Sequence, residues 1–356
     1  MKKTIALVVT VRNQVQEILP FYERVLTQKR LPDEIWFADA KSTDGSREVL
    51  KKLKETDARV HFVCTEQANL SCARNLALDQ VTADYLVFPR LTDRMAPSYL
   101  RDMAHVMEID GDFDMVASGY AELTSGGKVI STCTKYGGII SWKKMLKHCF
   151  SNRGMKTGLW NKMLRRDLIE REQLSFCESL EDGGDVLFLA SYSAYVRKVQ
   201  VLPRVLYGHL YDPLAIRERL AEEKRRIKEQ ALHMQKHREA IRKIRRELRI
   251  HKACADWEAM TRVHTLLEKA GALHDIPSFF SYKARKARRL LWATQYDKKA
   301  YRAQRKEAAG CLRRRTLAVL RDRDLSGLHR MSVVASGVSP RLGLQFAKIR
   351  KKFRKK

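Results

Sequence analysis

The chain has no run of 18 apolar residues, so no membrane-spanning helix is expected. Its cysteines are seven, an odd number, scattered and without CxxC spacing. That pattern argues against a disulfide framework or a zinc site and reads as reduced thiols of a cytosolic protein. No helix-turn-helix, RNA-binding aromatic motif or zinc finger is present to read a nucleic-acid sequence. Acids are too few to balance the cations: 41 Asp+Glu face 70 Lys+Arg in 356 residues, net +29.

The excess is uneven. After Tyr211 there are 40 Lys+Arg against 15 Asp+Glu, leaving 30 against 26 for residues 1–210. The split places a boundary near Asp212-Pro213, between an N-terminal domain, 1–212, and a basic helical extension, 213–356. The length suffices for either one large or two moderate cores.

Within the first part, strand and helix patterns alternate. Ile5 to Val11 is β-branched and apolar enough for a buried strand. It reads as a strand rather than a signal peptide's apolar region, because Arg12 and Asn13 follow at once. Val15 to Leu26 has helical spacing, and Glu34 to Ala38 is a second strand. The cluster Ser42-Thr43-Asp44-Gly45 leads into a helix at Ser46 to Leu53, with Asp44 as N-cap. Val60 to Cys64, Tyr85 to Phe88 and Asp114 to Ser118 are further strands. Ser125-Gly126-Gly127 turns a hairpin between 120–123 and 129–133. The alternation predicts right-handed crossovers and a mostly parallel, Rossmann-like sheet of the α/β class.

Ser71 is a candidate N-cap for a helix carrying Leu76, Ala77 and Leu78, and Pro89 ends the strand after it. The loop that follows sits where open α/β sheets place ligands. Its residues Ala73-Arg74-Asn75, then Phe88-Pro89-Arg90-Leu91-Thr92-Asp93, then Pro97, resemble the central segment of family 2 glycosyltransferases of the GT-A fold. In that family the strand ends in Phe-Leu-Asp-x-Asp-Asp. The two metal-binding acids fall here on Arg90 and Thr92, and Asp93 alone keeps a carboxylate, a weak ligand for Mg²⁺ or Mn²⁺.

The resemblance continues on either side. Thr10-Val11-Arg12-Asn13 matches the Pro-x-Tyr-Asn loop, and Asp39-Ala40-Lys41-Ser42-Thr43-Asp44 matches Asp-Asp-Gly-Ser-Thr-Asp. It implies that Asp39 accepts from the edge of a nucleotide base, with Thr10, Arg12 and Asn13 bordering it. A turn residue is the competing reading of Asp39, and an ion pair that of Arg12, whose planar guanidinium otherwise suits stacking on a base. Arg74 would fork onto a diphosphate, or else be a solvated helix residue. Trp160-Asn161-Lys162 matches the acceptor-side Trp-Asn-Lys segment, with buried packing as the alternative for Trp160. Glu181-Asp182-Gly183-Gly184-Asp185 resembles the Gly-Glu-Asp motif, with Gly184 in place of Glu. The resemblance implies that Asp185 is the general base for the acceptor hydroxyl. Glu181 and Asp182 stand near enough to substitute, and an acid at a helix start is the plain reading. His209 matches the closing His, placed at the diphosphate or a metal, or simply structural.

In the extension, Leu220, Ile227, Met234, Ile241 and Leu248 recur every seven residues, too narrow a stripe for a coiled coil but suited to a long helix. Lys283 to Trp292 and the tail Lys348 to Lys356 alternate cations with apolar anchors, as anionic-surface binders do.

Three readings follow. The first is an inverting transferase that moves a sugar from a UDP-linked nucleotide-sugar to a cell-surface glycan or lipid-linked acceptor. It would work at the inner face of the cell membrane, with Arg90 replacing the metal as counter-charge to the diphosphate. The second is an inactive GT-A-like nucleotide- or glycan-binding subunit, and the third a basic nucleic-acid-binding protein.

Overall fold

The computed structural model describes residues 2–109, 113–124, 126–151, 154–180, 183–210, 237–295, 297–314, 319–320 and 327–338. The chain divides into two compact units, Met1–Cys149 with Met155–Tyr211, and Phe150–Gly154 with Asp212–Lys356.

The first unit is built on a ten-stranded sheet. β1 (Ile5–Val11), β2 (Glu34–Ala40), β3 (Val60–Thr65) and β4 (Tyr85–Val87) are parallel, in the order β3-β2-β1-β4. Between them run α1 (Val15–Leu26), α2 (Ser46–Thr56) and α3 (Leu70–Leu78). The β1 residues Ile5, Leu7, Val9 and Val11 and the β2 residues Ile35 and Phe37 join one buried core cluster with Ile18, Phe21 and Val25 of α1 and Leu50 of α2. Ala6, Val8, Trp36 and Ala38, on the opposite face, are buried as well, which is why these strands read as continuous apolar runs.

The sheet continues through β9 (Lys162–Arg165), β6 (Met115–Leu123), β10 (Val199–Leu210) and the short β5 (Arg94–Met95). β7 (Val129–Cys133) pairs with β6, and β8 (Gly138–Ile140) with β10. β9 is antiparallel to both its neighbours, which turns β6 and β10 back to the direction of β1 to β4. Six of the ten strands therefore share one direction, and the ends of β1, β2, β3, β4, β6 and β10 meet at one edge. α4 (Tyr99–Ile109), α5 (Trp142–Phe150), α6 (Arg166–Arg171) and α7 (Gly184–Ser193) complete the described elements of this stretch.

Two expectations change. The strands foreseen at 114–118 and 120–123 are the single strand β6. Gly119 does not break it, because a Cβ there would lie 2.6 Å from the Arg204 carbonyl oxygen: the glycine admits a neighbouring backbone. Ser71 is not the cap of α3. Asn69, one residue before the helix, accepts from the Ser71 and Cys72 amides, and Ser71 falls in the first turn.

The second unit contains α8 (His237–Lys269), α9 (Pro277–Ala293), α10 (Arg302–Arg314) and α11 (Gly327–Val338). Ala253, Trp257, Ala284, Ala287, Leu290, Leu291, Leu312 and Val333 form its core cluster. Lys283 to Trp292 is therefore no free amphipathic face: its apolar positions fill this core. Lys286 pairs with Asp256 at 2.7 Å, and Lys283 lies over the Trp257 ring. Leu220, Ile227, Met234 and the tail Lys348 to Lys356 lie outside the described residues, as do Glu181 and Asp182.

Candidate active site

The edge where the parallel strands end is stitched together by side chains. Asn13, held at φ 51° as short polar residues tolerate, accepts from the Thr43 amide at 2.9 Å, while its own amide donates to Ser42 Oγ at 3.0 Å. Asp44 accepts from the first amides of two helices, Val15 at 2.9 Å and Ser46 at 3.1 Å. Burial alone would raise the Asp44 carboxyl, but these bonds and that from Ser46 Oγ outweigh it and hold it below its usual value. Arg12 Nη1 donates to the Ala68 carbonyl at 3.0 Å, joining the loops after β1 and β3, and among the described residues the cation pairs with no acid.

Asp39 lies at this edge, 0% exposed. Its Oδ2 accepts from Arg47 Nε at 2.8 Å and the Ser42 amide at 3.2 Å, whereas Oδ1 is buried without a partner among the described residues. A buried carboxylate oxygen left unsatisfied is costly, and a ligand N–H would remove the cost. Arg47, which no sequence pattern singles out, also reaches the Thr65 carbonyl and Glu66. Thr10, half-buried, is in register with Ala38.

Past β4, the Arg90 amide donates to Tyr207 Oη at 3.2 Å, while the Arg90 side chain is exposed and makes no hydrogen bond or ion pair among the described residues. Asp93 behaves oppositely. Its side chain is 1% exposed, and it takes the Tyr207 hydroxyl at 3.0 Å, His209 Nδ1 at 2.9 Å and the Leu210 amide at 2.9 Å. Burial, with Asp93 alongside, drives the Tyr207 phenol well above its usual value and keeps it a donor. The ring of His209 stacks on Trp160, centroids 4.6 Å apart, and Tyr207 stacks there at 5.0 Å. Trp160 is buried, with its carbonyl accepting from Tyr99 Oη at 3.1 Å. Lys162 is fully buried too. It gives its ammonium to the carbonyls of Lys156 and Gly158 and to Asn161 Oδ1, and burial lowers its pKa.

The positions that match the metal-binding acids do not fit a divalent cation. Arg90 would repel one, Thr92 offers only a hydroxyl, and Asp93 is spent. No three His, Cys, Asp or Glu side chains converge as a ligand set among the described residues.

Arg74 and Asp185 are brought together. Arg74 Nη1 donates to Asp185 Oδ1 at 2.5 Å, and the guanidinium lies 4.9 Å above the Phe176 ring. Asp185 stands in the first turn of α7, after Gly183 at φ 88°, a conformation that favours glycine. Gly184 abuts α3: a Cβ would meet Ser71 Oγ at 3.1 Å.

Residues 6–170 match the model of glycosyl transferase family 2. The glycosyltransferase GlyA of Streptococcus pneumoniae is 24% identical over 58% of this chain and 31% of its own length. The uncharacterized glycosyltransferase EpsJ of Bacillus subtilis is 24% identical over 56% of this chain and 60% of its own. The matches thus span 31% and 60% of the length of these relatives. Among solved structures, TarS 1-349 of S. aureus in complex with UDP superposes with a TM-score of 0.60 at 14% identity, covering 99% of this chain and 91% of that one. The same protein in complex with UDP-GlcNAc gives 0.60 over 99% and 92%. The fold is the α/β GT-A fold.

Proposed function

Residues 6–170 belong to glycosyl transferase family 2, and from that premise we propose that the chain moves a sugar, with inversion, from a UDP-linked donor to a cell-surface glycan or lipid-linked acceptor. The observation that carries the reading is the free, buried Oδ1 of Asp39, at the edge where β1, β2 and β3 end. It is an acceptor for the imide N–H of uracil, with Arg47 and Ser42 holding the other oxygen in place. The complexes of TarS with UDP and UDP-GlcNAc support a UDP-linked donor.

As the glycosidic bond breaks, the departing diphosphate gathers negative charge that a cation must stabilise. Arg90, exposed and unpaired among the described residues, is the group available on the loop after β4. Asp185 takes the acceptor's proton as its oxygen attacks the anomeric carbon. The basic C-terminal part holds the enzyme at an anionic membrane face, where lipid-linked acceptors reside, each cation near the surface contributing about 1 kcal/mol.

The test is UDP release from a panel of UDP-sugars, with water or added lipid-linked glycan as acceptor, beside calorimetric titration with UDP. Release that Asp39→Asn abolishes through weakened UDP binding supports the reading. Intact UDP binding without release from any donor reduces the chain to a nucleotide-binding module.

A further inference from the structure

In the resemblance Arg74 is a diphosphate ligand. Its surroundings point elsewhere. α3 is bolted to the segment that leads into α7: Asn69 Nδ2 donates to the Glu178 carbonyl, Asn75 Nδ2 to the Phe176 carbonyl at 2.9 Å and Glu178 Oε1 at 2.9 Å, and Asn75 Oδ1 accepts from the Phe176 amide at 2.8 Å. Both asparagines, one turn and a half apart, thus grip one loop. Between them Arg74 lies against Phe176, whose ring stacks at 4.2 Å on Phe188 of α7. The guanidinium is thus held between the Phe176 ring and the Asp185 carboxylate of α7. Its side chain is 14% exposed against 34% for Asp185, and its Nε is buried and unbonded.

From this we infer that Arg74 is the positioning residue of the base: it fixes Asp185 rather than binding phosphate. Resting on the transferase reading, the inference adds which group aims the carboxylate. The Nη1 bond holds Oδ1 at 2.5 Å and leaves Oδ2 without a hydrogen bond among the described residues, as the oxygen that accepts the proton. In the motif an acid precedes the base. Here Gly184 takes that place against Ser71, and a Cβ added there would press on the Ser71 hydroxyl at 3.1 Å. Among the described residues, Asp185 is the acid that pairs with Arg74. With Nη1 given to Asp185 and Nε buried, a bidentate phosphate grip would compete with the carboxylate for the same donors.

The experiment pairs UDP calorimetry with steady-state UDP release, on the UDP-sugar released fastest, for the full chain and for Arg74→Ala, Arg74→Lys, Asp185→Asn and the double variant Arg74→Ala/Asp185→Asn. Asp185→Asn should lower kcat by about 10²–10⁴-fold, the usual contribution of a positioned base. Arg74→Ala should lower kcat by about 10²-fold, as misplacement of a reacting group does, with donor KM and UDP Kd within twofold of the parent. Arg74→Lys, which keeps a cation over Phe176, should recover part of kcat. The double variant should be no slower than Asp185→Asn, because Arg74 acts only through that carboxylate. A UDP Kd weakened tenfold or more in both Arg74 variants would make Arg74 a phosphate ligand and overturn the inference, as would a double variant whose loss is the product of the single losses. If the parent binds UDP but releases it from no donor, the transferase reading falls and this inference with it. If the parent and Asp185→Asn release UDP at equal rates, the base assignment alone falls.

Discussion

Asp93 and His209, 116 residues apart in the chain, are joined at 2.9 Å between Oδ2 and Nδ1. The carboxylate accepts from Nδ1 and so selects the tautomer with its proton there, while the ring stacks on Trp160. Through Tyr207 it also fixes the Arg90 amide, so one buried acid ties the loop after β4 to the end of β10. In the family frame this acid would adjoin a metal clamp; in this chain it is an internal brace.

Asp93→Ala should accordingly act on stability. Stranding the Leu210 amide, the Tyr207 hydroxyl and His209 in a buried place costs about 3 kcal/mol. For a unit of this size that is a fall of roughly 6–12 °C in the first melting transition. Scanning calorimetry checks it. A variant that melts with the parent but has lost Mn²⁺ binding would return Asp93 to the metal.

Asp39→Asn replaces the free acceptor by a donor and should weaken UDP by about 1.5–3 kcal/mol, roughly 10–150-fold, without a matching loss of fold. Arg47→Ala should follow in the same direction by freeing Asp39 to turn. Titration calorimetry distinguishes this from a purely structural Asp39, for which both variants would bind UDP like the parent once folded.

Acid should loosen the nucleotide edge. The folded carboxyl of Asp44 lies below its usual value of 3.8. Its contribution is therefore present above that value and lost as pH falls through the folded pKa. Thermal melts of the parent between pH 5 and pH 2 should decline more steeply than those of Asp44→Asn. Parallel declines would mean that Asp44 does not link the starts of α1 and α2.

The basic tail is the remaining candidate for the membrane, since Lys283 to Trp292 is engaged in the helical core. Replacing Lys351, Lys352, Lys355 and Lys356 by Ala should cost about fivefold per residue in sedimentation with anionic vesicles at physiological salt. Unchanged sedimentation, or tighter and salt-steep binding to RNA, would contradict the membrane assignment.

Much of the first half was legible because its strands are buried on both faces and so read as apolar runs: β1 was expected at its observed bounds, and α1 likewise. The antiparallel insertion of β9 was not, since Lys162 looks like a surface residue until its three oxygen acceptors are seen. Arg47 was equally hidden: an arginine in the first turn of α2 carries no pattern, and only the fold aims it at Asp39. The motif frame located Arg74 and Asp185 separately, 111 residues apart, and their pairing is a fact of tertiary structure. In α9 the period of small residues that packs a core is the same period that suits a membrane face, so sequence alone could not tell the two apart.

Arg90 is proposed to take the place of a metal at the nucleotide-sugar site. The most direct measurement of that role is UDP release from the preferred UDP-sugar in EDTA and in Mn²⁺, for the full chain and Arg90→Ala. Equal rates are expected for the parent in both buffers, with a loss of about 10²–10³-fold in Arg90→Ala, as when one preorganised charge-stabilising group is removed. Turnover that appears only with Mn²⁺ and is indifferent to Arg90→Ala would contradict it.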